Sequence, residues 1–156
     1  MKILIAYGSL GKFFHLKEFS EALQKLDVQT MLVKDSDYST GFPSKKPKEW
    51  IGTNKKFKNL ISEFKPDAVF IDRQSHFGID TIKFKIPLFI LLRGHYWSEI
   101  EWAKKTLYKG PLMRTVIWFR NNIAEKCFRN ATAVLPICEY LEDVVKEHHP
   151  NQSTFP

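Results

Sequence analysis

Cysteine is almost missing from this chain. Cys127 and Cys138 stand alone, with no C-x-x-C pair, which excludes a disulfide-stapled scaffold and a thiolate metal site. Reduced thiols in a cytosolic protein are the simpler account. Glycine is sparse as well, at 7 residues, and neither phosphate-loop signature can be built from it. The turn Gly8-Ser9-Leu10-Gly11-Lys12 lacks the second glycine of G-x-G-x-x-G, which disfavours a cofactor-dependent oxidoreductase. It also has too few residues between its glycines for the ATP-binding loop, and Phe13 where that loop needs a hydroxyl. No apolar run approaches the roughly 18 residues of a membrane-spanning helix, so any membrane contact is expected to be peripheral. The opening run Met1–Gly8 is too short for a signal peptide and reads as a strand.

Acidic residues are outnumbered, 17 against 24 Lys and Arg, for a net charge of +7 and an isoelectric point near 9.4. That balance favours an anionic partner: nucleic acid, phospholipid headgroups or a phosphorylated substrate. No helix-turn-helix, RNA-recognition or zinc-finger signature is present, so nucleic acid is not expected. With 44% hydrophobic and 26% charged residues, the composition is that of a folded globular chain. Its 156 residues suit a single domain spanning 1–156.

Apolar runs at 3–7, 28–33, 68–71, 87–92 and 131–135 read as strands. Between them lie helical patterns, such as Leu16, Phe19, Leu23 and Leu26 in a helix entered near Phe14, and Phe57, Leu60, Ile61 and Phe64 after a capping Asn54. Further helices are expected over 78–84, 99–108, 112–128 and 139–148, with Gly110-Pro111 as a break. The segment 34–53 reads as a long loop with at most a helical turn near Glu49-Trp50. Five strands alternating with helices specify an α/β fold, a Rossmann-like, doubly wound parallel sheet with helices on both faces. The run Pro87–Leu92 is apolar without alternation, as in a strand buried on both sides.

In such a sheet every strand ends on the same rim, where ligands bind. Three polar groups fall there: the small-residue turn Gly8 to Lys12, then Asp72, Arg73 and His76, then Arg93, Gly94, His95 and Tyr96. His95 or Asp72 is placed to act as a general base, and Arg73 or Arg93 to hold phosphate or carboxylate. The turn aims backbone N–H groups and a helix N-terminus at the same edge. Charge concentrates further on. Between Arg93 and Asn130 eight Lys and Arg face three Glu, interleaved with Trp97, Trp102, Tyr108, Trp118 and Phe119. Lys104, Lys105, Lys109, Arg114, Trp118 and Arg120 are the candidates for an anion-binding or membrane-interface surface.

Three stretches together resemble the amino-terminal half of a retaining GT-B glycosyltransferase of the family 4 type. They are Met1–Ala6 with Gly8, Gly11 and His15; Lys65-Pro66-Asp67 through Asp72 with Ile86-Pro87 through His95; and Arg129–Leu141. Two positions depart from that family's pattern, Ser9 in the glycine turn and Cys138 where a capping Ser is usual. The resemblance implies an acceptor-binding domain whose partner, a carboxyl-terminal nucleotide-sugar domain, is absent from this chain, which alone would be inactive. It implies His95 as a contact to the transferred sugar or acceptor, with Gly8, Ser9 and Gly11 lining the cleft. It implies no metal and no cofactor in this half, and a nucleotide-sugar donor for the whole enzyme. A sugar or lipid-linked acceptor at the cytoplasmic face of an anionic membrane would suit the basic segment. The competing expectation is a non-enzymatic binding module that docks a protein partner or an anionic surface.

Overall fold

A computed structural model describes residues 1–44 and 46–156. Five strands, β1 (Lys2–Tyr7), β2 (Gln29–Lys34), β3 (Ala68–Ile71), β4 (Leu88–Leu92) and β5 (Ala133–Pro136), form one parallel sheet in the order β2-β1-β3-β4-β5. The helices are α1 (Leu10–Gln24), α2 (Asp35–Tyr38), α3 (Lys55–Phe64), α4 (His76–Lys83), α5 (Tyr96–Thr106), α6 (Pro111–Asn130) and α7 (Glu139–His148). The expected α/β, Rossmann-like sheet is therefore present. Its order reverses at β1, because β2 lies on one side of that strand and β3 on the other. Lys45, inside the expected long loop, lies outside the described residues.

Side chains alternate across each strand, and the two faces of the sheet are filled unequally. On one face Leu4, Ala6, Val69, Ile71, Leu88, Ile90 and Val134 pack under Phe57 of α3, Phe77 of α4 and Phe128 of α6. The Phe57 and Phe77 rings meet edge-on, 4.9 Å apart, a favoured aromatic geometry. On the other face Ile5 and Phe70 meet Leu16 of α1, while Phe89, Leu91 and Leu135 are half-buried. This corrects the reading of β4 as buried on both sides: one face is sealed and the other is covered less fully.

Several boundaries differ from the sequence reading. Helix α1 starts at Leu10 rather than near Phe14, since Ser9 is already extended and acts as its cap position, so Gly11 and Lys12 are helical. It ends at Gln24, and the chain turns back through Asp27 at φ 58°; Leu26, expected on the buried face, is thereby left exposed. Helix α5 begins at Tyr96 and α6 at Pro111, where a proline without an N–H is well tolerated. Neither Asn54 nor Cys138 caps its helix through its side chain. Beyond α7 the chain returns along β5, with Val134 donating to the Ser153 carbonyl and Phe155 donating to that of Val134.

Candidate functional site

The carboxyl rim of the sheet is built around two buried carboxylates. Asp72 follows β3 directly, and its side chain is sealed from solvent. Its Oδ1 accepts the Gly8 N–H at 3.0 Å, and its Oδ2 takes Arg93 Nη2 at 3.2 Å and faces Lys12 Nζ at 3.6 Å. Asp35, which opens α2 after β2, is held by Arg73 through bonds of 2.7, 3.0 and 3.2 Å. Gly8 sits between the two sets. A β-carbon there would lie 2.7 Å from Arg73 Nε, so glycine is what lets the guanidinium cross the turn. Buried charge demands such complete pairing, and here four strand ends are tied together by it.

Gly8, Asp72, Arg73 and Arg93 thus meet, as the strand order requires. The others go elsewhere. His95 occupies the cap position of α5, where its Nδ1 accepts the Ser98 N–H at 3.2 Å. A neutral His95 in that role carries its proton on Nε2 and presents a donor, with Tyr140 beside the ring. His76 bonds the Phe42 carbonyl at 2.9 Å and leaves no room for a β-carbon at Gly41. Tyr96 turns inward onto Phe128, and burial with the nearby Glu125 raises its phenol pKa. Gly94 faces the Glu99 carboxylate; Ser9, Gly11 and His15 are exposed at the start of α1. Asp35 was not among the expected site residues, because an Asp inside a polar loop carries no mark of the partner that buries it.

A second site lies where α5 and α6 diverge. A recess of about 660 Å³ is lined by Lys104, Lys105, Lys109, Arg114 and Trp118, with Ile117 and Asn121 at its base. Five of the six expected anion-binding residues therefore share one cavity. Arg120 does not join them; it covers the Tyr108 ring at 5.5 Å and donates to its hydroxyl, bracing the turn between the helices. Ile117 and Asn121 went unnoticed in the sequence, although their spacing from Arg114 and Trp118 places them on adjoining rows of one helix.

A third cluster joins α5, α6 and α7. Trp97 stacks on His148 at 4.2 Å and donates to Glu125 at 3.0 Å, while His149 Nε2 lies 3.2 Å from the same carboxylate.

Over part of its length the chain is similar to an RNA methyltransferase. It is 37% identical over 73 residues to the ribosomal RNA small subunit methyltransferase Nep1 of Pyrococcus furiosus, a match covering 40% of this chain and 33% of that protein. The chain spans about a third of the length of this relative. No family model matches it. The similarity overturns the glycosyltransferase resemblance, and with it the GT-B assignment and the sugar-transfer reaction. The structure gives the physical reason that resemblance misled. Lys65-Pro66-Asp67 is the turn into β3, Ile86-Pro87 the entry to β4, and Arg129–Ala133 the passage from α6 into β5. These motifs report how helices enter parallel strands, which many chemistries share. The nucleotide-sugar donor rested on that resemblance alone, and the lipid-linked acceptor on it together with the basic, aromatic segment. Among the described residues, no helix is long and apolar enough to cross a membrane.

Proposed function

We propose that this chain is the RNA-contacting α/β part of an RNA methyltransferase. The observation that carries this reading is the 37% identity to a small-subunit ribosomal RNA methyltransferase. The net charge of +7 supports it, since affinity for RNA is dominated by phosphate neutralisation. A nucleoside-based methyl donor needs hydrogen-bond acceptors for its sugar hydroxyls. Asp72 and Asp35, the carboxylates at the rim, are almost wholly shielded from solvent and spend their oxygens on Gly8, Lys12, Arg73 and Arg93. Neither is free for such a donor, so the transfer step is not assigned to these residues. What they do is hold four strand-end connections rigid beneath whatever binds above.

The test is deletion of the gene in its own organism, followed by mass-spectrometric mapping of methylated nucleotides in the small-subunit ribosomal RNA. Loss of a methylated position, restored by the intact gene, is the expected result. An unchanged map across growth conditions would sink the proposal.

A further inference from the structure

We infer that the recess between α5 and α6 is a binding site for single-stranded RNA, with one base stacked on Trp118 and the flanking phosphates on Lys105, Lys109 and Arg114. The choice of RNA as occupant rests on the function proposed above; the chemistry of the recess stands on its own. Of its four cations only Lys104 has an acidic partner among the described residues, Glu101 at 2.5 Å. The other three are exposed and converge on one concavity without a counter-charge in its lining. Trp118 lines the recess and stays 57% exposed, with Phe119 set edge-on to it at 4.8 Å, so indole surface is left for a base. Asn121 accepts from the Tyr96 hydroxyl at 3.4 Å, which leaves its amide N–H groups to donate to a base edge.

Positive charge along a groove with an aromatic platform is the arrangement that holds single strands, because every base has a face to stack and phosphates repeat along the backbone. A duplex keeps its bases stacked on one another and would leave Trp118 unused. An anionic membrane fits less well. A helix lying on a bilayer needs its apolar side chains in one continuous band. Here Phe119 is spent on contacts within the fold, with Trp118 edge-on at 4.8 Å and Phe42 at 4.9 Å, and what stands beside Trp118 in the recess is lysine and arginine, not an apolar band. The charges also line a hollow rather than a protruding surface.

The experiment is fluorescence anisotropy of a labelled single-stranded oligouridine RNA titrated with the full chain, over a range of salt, beside co-sedimentation with phosphatidylserine vesicles. The wild type should bind the RNA with a log–log salt slope of about −2, three phosphate contacts at roughly −0.7 each. Trp118→Ala should weaken binding about tenfold, and Trp118→Phe should restore most of it. The double variant Lys105→Ala/Lys109→Ala should lower the slope to about −0.7. All these side chains are exposed, and circular dichroism verifies that each variant is folded. Absence of RNA binding at low salt, binding indifferent to these changes, or vesicle binding without RNA binding overturns the inference. Because the methylation map does not read the recess, and this titration does not read methylation, failure of one is distinguishable from failure of the other.

Discussion

At Gly8 the missing side chain is the functional feature, and at Gly11 it is a cost. Gly11 lies exposed within α1, and an added β-carbon there would meet nothing within 4 Å. Gly11→Ala should therefore stabilise the protein by about 0.5–1 kcal/mol, the usual gain for replacing an unconstrained helical glycine. Gly8→Ala should do the reverse, because its β-carbon would press on Arg73 Nε and loosen the clasp on Asp35. Urea unfolding of the two variants checks both signs, and a stabilised Gly8→Ala would show that the clasp carries no weight. The sequence made these two glycines look alike, members of one turn. Their difference depends on Asp35 and Arg73, which are far apart in the chain and meet only because β2 and β3 flank β1. The same holds for His95, whose residue type announced acid–base chemistry while its position at the head of α5 commits one nitrogen to a backbone N–H.

Among the elements, the cluster at α5, α6 and α7 gives the structure a pH dependence whose sign follows from burial. His149 has its pKa lowered, chiefly by desolvation, against the opposing pull of Glu125. The folded state therefore prefers the neutral ring. Its contribution is present above the unfolded value of about 6.5 and is lost as pH falls below it, since the unfolded chain then binds more protons. Melting temperature should accordingly drop between about pH 7 and pH 5.5, and His149→Asn should flatten that slope. A slope unchanged in the variant would assign it to other groups. Most elements were legible in the sequence, because apolar spacing alone separates the helix period from the strand period. Helix ends were less so. The start of α1 depends on where Ser9 becomes extended, and the exposure of Leu26 on a reversal at Asp27 with positive φ, neither of which spacing encodes. The unequal faces of β4 were hidden for a related reason: an apolar side chain does not reveal how fully its neighbours cover it.

For the whole molecule, the buried charge of Asp72 joins the ends of β1, β3 and β4. Asp72→Asn keeps an acceptor for Gly8 and removes the charge that faces Arg93 and Lys12. The expected loss is roughly 2 kcal/mol, below the ~3–5 kcal/mol of a pair sealed on both sides, because Arg93 and Lys12 still reach water. Denaturant midpoints of the variant and of Arg93→Met/Asp72→Asn would show whether removing both partners recovers part of it. The α/β architecture could be read from the chain, but the reaction could not. Strand entries are dictated by packing and recur across unrelated enzymes, whereas chemistry is set by a few side chains brought together from distant positions.

The shared corner at Gly8 has a consequence for how this protein can evolve. Two clasps, Arg73 on Asp35 and Arg93 with Lys12 on Asp72, are threaded past one residue without a side chain. Reversing the charge of Arg73 strands the buried Asp35, and reversing that of Asp72 sets a cation against Arg93 and Lys12. Descendants of this sequence should therefore alter these positions as a linked set, with intermediate genotypes depleted, while the exposed lysines of α5 drift one at a time.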